Sequence, residues 1–536
     1  MMTVWQRLRR AFGAFRSDRA GNVMITFALA TLPIVGFTGF AVDYSRANSV
    51  KTALQAAIDS TALMLSKEAA TDTASQLQTN AQKYFNALFT RPEATNVTIT
   101  ATYTTTGGSA IVINGSANVP TAFLGVIGYQ NIPVTASSTA KWGSSRLRVA
   151  LALDNTGSMA WDGKMTALKT ATKDLLTQLK NAASTNGDVY VSIIPFSRDV
   201  SVNPSSNYNG NWIDWTDWAA APANSMPNMS VGPGDNCPYS TWSNGFTCSP
   251  TPTSTSTTNT IPSSGTYAGY ICPSKISSTG SYVNGCYNST TYSSTGSSAT
   301  CTGHSNCSCS GSGSSKVCKT NNGYYEHAWI PNDHSTWNGC ITDRGNTGSP
   351  HSSNYDQNVL PPVPGTPASY YPADQYASCP LNMMGLSYNW TAMNSLVDQM
   401  YSNGNTNQPI GLVWAWLSLV GGGPLTAPAK DSNYTYQDVI ILMSDGLNTQ
   451  DRWYNSQSSI DSRMLNSTGA GTCANIKAAG ITIYTIHVNT GGDPMSTLLK
   501  NCASSTDKFW MVTSSSGLGT VFNAIGTNLT KLRVAY

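Results

Sequence analysis

Charge is what this sequence has least of. Asp, Glu, Lys and Arg make up 11% of its 536 residues, about half the usual share. So few charges exclude a surface built from the Lys/Glu-rich helices of a typical cytosolic enzyme. Five arginines (Arg7, Arg9, Arg10, Arg16, Arg19) and only Asp18 precede Gly21, so that segment carries 5 − 1 = +4 of a formal +3, leaving about −1 for the rest. No basic face remains to neutralise phosphates, and no nucleic-acid partner is expected. Histidine is also scarce, with five in the chain. No His-Glu-x-x-His or Walker-type loop occurs, so zinc-protease and nucleotide-hydrolase readings have no motif.

Catalytic serine chemistry lacks its parts as well. Ser158 lies in Asn-Thr-Gly-Ser-Met, not in a Gly-x-Ser-x-Gly elbow. The histidine within the expected sheet, His487 in "YTIHVNT", sits on a strand and is read as a hydrogen-bonded core or rim residue. No enzyme activity is expected.

Cysteine, in contrast, is present and clustered. Ten of the twelve lie between Cys237 and Cys379, and Cys473 and Cys502 follow near the end. Even numbers in both groups favour disulfides and an oxidising compartment. Cys473 and Cys502 are expected to bridge each other.

Val23 to Val42 is uncharged and mostly apolar, long enough as a helix to cross roughly 30 Å of hydrocarbon. Arginines before it and Asp43 after it place the N-terminus in the cytoplasm and export the rest. Gly39 and Ala41 would suit cleavage of a signal peptide. However, Val50, Leu54, Ala57, Ile58 and Leu65 continue the helical spacing, so an uncleaved helix running out of the membrane is expected. From about Asn96 to Lys141, "VTITATYTTT", "AIVINGSANV" and "IPVTASSTAKW" read as short antiparallel strands. The outline is pilin-like, a long helix followed by a small sheet.

The segment "DRAGNVMITFALATLPIVGFTGFAVDYSRANSVKTALQAAIDSTALML" resembles the N-terminal region of TadE/TadG-type Tad pilus-assembly proteins. In related pseudopilins a peptidase cuts after a Gly, and the fifth residue beyond is Glu. Here the fifth residue after Gly21 is Thr26, so the anchor is expected to stay intact.

After Trp142 strands and helices alternate. "RLRVALALD", "DVYVSIIPF", "QDVIILMSD", "ITIYTIHVN" and "KFWMVTS" read as strands; "KMTALKTATKDLLTQLKNAA", "PIGLVWAWLSL", "TCANIKAAG" and "GTVFNAIGTNLTKLRV" read as helices. This order implies an α/β fold, a doubly wound, mostly parallel sheet with ligands at the carboxyl ends of its strands. Asp154 and Asp445 stand at two such ends. The half spanning 146–202 and 385–536 resembles a von Willebrand factor A domain with a metal-ion-dependent adhesion site. The family pattern, Asp-x-Ser-x-Ser, a later Thr and a later Asp, falls on Asp154, Thr156 and Ser158, then Thr406 in "NGNTNQPIG", then Asp445 in "LMSDG". Thr156 replaces a Ser and keeps the hydroxyl. The resemblance implies Mg²⁺, or another divalent cation, held by these five residues and open to an acidic side chain of a protein ligand. An Asp154 that merely caps the following helix is the plainer alternative.

The expected organisation is therefore a basic cytoplasmic segment (1–22), a transmembrane helix (23–42), a pilin-like helix and sheet (43–143), and an A-type domain interrupted by a Cys/Ser/Thr-rich insertion (203–384). Five disulfides would staple the insertion. In it, Cys301, His304, Cys307, Cys309 and Cys318 form a conceivable metal cluster, though Cys-x-Cys among many partners suits disulfides better. Trp212, Trp215 and Trp218 in "NWIDWTDW" could bind a ligand, but such residues more often pack an insertion onto a sheet. The expected function is a single-pass inner-membrane protein with a metal-dependent adhesion-type domain, acting in Tad/Flp pilus assembly with pilins or other assembly components as partners. The alternatives are a minor pilin or tip adhesin and, with least support, a secreted hydrolase.

Overall fold

The computed structural model describes residues 21–69, 72–105, 109–142, 145–221, 230–238, 246–254, 256–276, 284–345 and 361–534. The basic segment before Gly21 lies outside them. The chain divides into two compact units, one formed mainly by residues up to Ser145 and one by Arg146–Asp431 and Thr435–Leu532.

In the first unit, α1 (Gly21–Leu65) and α2 (Ala74–Leu88) pack on a sheet of β1 (Thr95–Thr104), β2 (Ser109–Pro120) and β3 (Asn131–Trp142). The strands are antiparallel in the order β1-β2-β3. In β2 the period of two puts Ile111, Ile113, Ala117 and Val119 inward. They meet Val50, Leu54, Ile58 and Leu65 of α1 in a single core. The first part of α1 is different, with Phe27, Leu29, Ile34, Val35 and Phe37 all exposed. By length and composition α1 is the one helix among the described residues able to cross a membrane. The sequence outline of one helix and then a sheet omits α2. Its polar sequence, ASQLQTNAQKYFNAL, buries only Leu77, Ala81 and Phe85, and a Thr73–Gln76 capping box starts it.

The second unit is built on a six-stranded sheet. Its strands are β4 (Ser145–Asp154), β5 (Val189–Phe196), β6 (Met384–Ser387), β7 (Thr435–Ser444), β8 (Thr482–Val488) and β9 (Phe509–Val512), in the order β6-β5-β4-β7-β8-β9. Strand β6 is an antiparallel edge, while β4/β5, β7/β8 and β8/β9 are parallel. Arg148 bonds to Asp438 and Ser444 bonds to Asp154 at the same separation of 290 residues, so β4 and β7 run parallel too. Burial of β4 on both faces explains its unbroken apolar run.

Helices α3 (Lys164–Ala182), α4 (Trp390–Gln399) and α9 (Gly517–Val534) cover the face that carries Val149, Leu151, Ile441 and Ile486. Helices α5 (Gln408–Val420), α7 (Thr472–Ala478) and α8 (Thr497–Cys502) cover the face that carries Ala150, Ala152, Ile440 and Ile483, with α6 (Gln457–Met464) beside them. Helix α5 is buried all round, as a helix apolar on every side must be. Cys473 of α7 and Cys502 of α8 form a disulfide.

The insertion is a set of small sheets and turns, stapled by Cys237–Cys248, Cys272–Cys286, Cys301–Cys307, Cys309–Cys318 and Cys340–Cys379. One cluster of few residues, including Ile261, Ile271 and Tyr287, forms a core there. The disulfide reading of the Cys301–Cys318 cluster, preferred over metal, is the one the structure shows: all four sulfurs are in disulfides, and His304 pairs with Glu326 and stacks on Tyr292. Trp212 and Trp218 are buried in the core, Trp212 edge-on to Trp414 of α5, and Trp215 stacks on His334.

Candidate metal centre

Parallel strands β4 and β7 are neighbours, so their carboxyl ends bring Asp154 and Asp445 together although 290 residues separate Asp154 from Ser444, the residue just before Asp445. Asp154 is fully buried. Its Oδ1 accepts from the Thr156 backbone N–H at 2.8 Å and its Oδ2 from the Ser444 hydroxyl at 2.6 Å. The hydroxyls of Thr156 and Ser158 lie 3.0 Å apart, and Ser158 donates to Asp445 Oδ1 at 2.7 Å. Asp154, Thr156, Ser158 and Asp445 thus converge in one hydrogen-bonded cluster.

Thr406 enters through its loop. Asn403 N–H donates to the Asn155 carbonyl at 2.7 Å, and Gly157 N–H donates to the Gly404 carbonyl at 2.9 Å. Thr406 itself is buried, with its N–H on Thr449 Oγ1 at 2.8 Å and its carbonyl accepting from Thr449 N–H at 2.9 Å. Gly404 is required where it stands. Its φ is +82°, and a Cβ there would lie 2.8 Å from the Tyr376 hydroxyl.

Electrostatics makes the cluster costly as it stands. Burial first, and then the charge of Asp445, push the Asp154 carboxyl up to about 7, against the opposing bonds from Ser444 and Thr156. One cation is already present. Lys164 Nζ donates to Asp445 Oδ2 at 2.6 Å, and both side chains are buried. Sequence reasoning missed Lys164. It is the first residue of α3, where the helix dipole disfavours a cation, and that misplaced charge was the available signal. Ser444, next to Asp445, was missed too.

The insertion supports the Thr406 loop. Asn407, which caps α5, donates through Nδ2 to Asp343 Oδ2 at 2.8 Å and to the Arg198 carbonyl at 2.9 Å. Asp343 Oδ1 accepts from Arg463 at 2.7 Å, and Arg463 also donates to Asp451 at 2.7 Å; all three charges are buried. Tyr376 accepts from Asn405 N–H, and Tyr401 donates to the Cys379 carbonyl beside the Cys340–Cys379 disulfide.

The donors at the strand ends are all oxygens, two of them on carboxylates, which is the set a hard divalent cation takes. His487 is buried, and its Nδ1 accepts from the Ser496 N–H.

Residues 21–67 match the family described as putative Flp pilus-assembly TadE/G-like. Among curated proteins no sequence matches. Solved structures similar to the chain include the pilus adhesin SpaC of Lactobacillus rhamnosus GG in its open conformation, at 12% identity over 83% of this chain and 35% of SpaC, with a TM-score of 0.28. The von Willebrand factor domain of the type V pili tip protein Mfa5 of Porphyromonas gingivalis aligns at 8% identity over 73% of this chain and 97% of its own, with a TM-score of 0.30. The PilB minor pilin of Streptococcus sanguinis aligns at 10% identity over 83% and 80%, also with a TM-score of 0.30. The chain thus spans about a third of the SpaC structure, and scores this low leave the site to be read from its own residues. What the comparisons establish is a TadE/G-like Flp pilus-assembly segment at the N-terminus.

Proposed function

We propose that this chain is a single-pass inner-membrane protein, N-terminus inside, whose exported part is a metal-dependent protein-binding domain of Tad/Flp pilus assembly. The reading joins the match over residues 21–67 to the six-stranded sheet of the second unit, which we read as von Willebrand factor A-like and doubly wound. The observation that carries it is the convergence of Asp154, Thr156, Ser158 and Asp445 at adjacent strand ends, with the Thr406 loop bonded to Gly157.

Asp154, Thr156, Ser158, Thr406 and Asp445 would hold Mg²⁺ or a similar cation. When bound, the ion supplies an electrophilic position for an acidic side chain of a pilin or another assembly component. Thr156 and Ser158 contribute neutral oxygens, which leave the ion's charge uncancelled. Asn403 and Gly157 hold the two loops at fixed spacing. Ser158 acts as a ligand and not as a nucleophile, and no catalysis is proposed.

Capture of pilus components by the full chain in detergent tests this reading. Capture should require Mg²⁺, be abolished by chelator and be lost in Asp154→Ala; capture indifferent to both refutes it. A second reading, a minor pilin with a tip adhesin domain, draws on the helix-and-sheet outline of residues 21–142. It requires recovery in sheared fibres with a new N-terminus after Gly21, whereas an intact N-terminus in the inner membrane favours assembly.

A further inference from the structure

The turn between β2 and β3 is unusual in what it exposes. Residues 121–130, TAFLGVIGYQ, make a short 3₁₀ turn at Leu124–Ile127. Val126 is 87% exposed, Ile127 69%, Tyr129 66% and Phe123 46%. Four large apolar or aromatic side chains in seven residues are too many for a turn that faces only water.

Its attachment to α1 is specific. Asp43 is buried, and its carboxylate accepts three backbone N–H groups of the turn: Ala122 at 2.8 Å on Oδ1, then Phe123 at 2.9 Å and Leu124 at 2.8 Å on Oδ2. One helical turn earlier, Gly39 lies under the Phe123 side chain. A Cβ on Gly39 would be 2.5 Å from the Phe123 Cβ, so only glycine permits this approach. Gly39 lies inside the apolar span and Asp43 is the first charge after it. At 1.5 Å per residue, Phe123 therefore sits about 6 Å deeper along α1 than the Asp43 backbone. Near this level the helix also exposes Phe37, Phe40 and Tyr44.

We infer that this turn is a second membrane contact, with Phe123, Val126 and Ile127 seated in the outer interfacial region of the bilayer beside α1 and Tyr129 at headgroup level. Aromatic and apolar residues partition to that zone. Asp43 makes the arrangement possible, because its charge is bonded to turn N–H groups that would otherwise be unpaired near lipid. The consequence is orientation. A helix alone can swivel about its axis, whereas a helix with a lateral apolar foot holds the sheet at one angle to the membrane. The inference rests on the membrane-spanning reading of α1.

All twelve cysteines are in disulfides, so an introduced cysteine is the single free thiol for a nitroxide label. Full-length chains carrying Val126→Cys, Ile127→Cys, Ile34→Cys or Thr104→Cys would be reconstituted in phosphatidylethanolamine/phosphatidylglycerol vesicles. Collision with oxygen and with a water-soluble nickel chelate reads depth. Labels at Val126 and Ile127 should resemble Ile34, with oxygen access high and nickel access several-fold below that of Thr104, an exposed residue at the opposite end of the sheet. Nickel access equal to that of Thr104 would place the turn in water and overturn the inference. Shielding from both reagents would place it against protein and overturn it equally. If Ile34 itself is nickel-accessible, the anchor reading fails, an outcome distinct from failure at the turn alone.

Discussion

Lys164 places its ammonium 2.6 Å from Asp445 Oδ2, inside a cluster that already holds a second buried carboxylate, Asp154. The lysine thus occupies one of the oxygens that a bound cation would use. On the proposed reading it would serve as a tethered counter-ion, stabilising the site without metal and competing with a cation for Asp445.

Replacing that ammonium separates the two effects. Lys164→Met is expected to destabilise the chain in chelator by about 3 kcal/mol, as for removal of one partner of a buried pair. The same change should tighten Mg²⁺ binding and restore much of the lost stability when Mg²⁺ is present. Denaturant midpoints with and without Mg²⁺ check this; equal losses in both conditions would count against competition.

Protons should compete with metal at Asp154. Its carboxyl is pushed up to about 7 by burial and by Asp445. Mg²⁺ affinity is therefore expected to fall by up to about tenfold per pH unit below 7 and to level off above it. Calorimetry in buffers of different ionisation enthalpy reads the released proton. Without metal, the folded state binds the extra proton between the unfolded value of 3.8 and about 7. The stability contributed by Asp154 then declines as pH rises through that window and is constant above it.

Asp343 should matter to the site although it belongs to the insertion. Asp343→Ala removes acceptors from Asn407 and Arg463 and leaves buried Arg463 short of one carboxylate, at a cost of about 3–5 kcal/mol. Amide exchange at residues 403–407 should accelerate and Mg²⁺ affinity should drop. Unchanged exchange there would show that the insertion does not hold the loop.

The Cys473–Cys502 disulfide closes a separation of 29 residues. Its loss in a double serine variant should lower stability by about 3–4 kcal/mol in the chain-entropy view, with Mg²⁺ affinity intact because neither residue is among the site's oxygen donors. Denaturant midpoints and metal titration of the same variant check the two statements.

Strand ends were legible in the sequence because apolar runs stopping on a carboxylate leave few other readings, as at "LALD" and "LMSD". Order put Asp154 and Asp445 at strand ends, and the resemblance to the adhesion-site pattern paired them. Lys164 carried only a weak signal, a cation at a helix N-terminus, because a lysine opening an amphipathic helix usually reads as solvated. Asn407, Asp343 and Arg463 were equally hidden: their contacts span 64 and 120 residues, with no local pattern to announce them. Helix α2 escaped notice because its apolar stripe is only three buried residues wide. The turn at residues 121–130 looked like an ordinary connection, and its meaning depends on a carboxylate about eighty residues earlier in the chain. The insertion's small strands were illegible because disulfides, more than apolar periodicity, hold them together.

Manganese titration of the full-length chain, followed by the loss of the free-ion paramagnetic resonance signal, tests the central claim most directly. One Mn²⁺ should bind per chain, be displaced by Mg²⁺, and be lost in both Asp154→Asn and Asp445→Asn. A site retained at wild-type affinity in those two variants, or a folded wild-type chain that binds no ion, would contradict the account.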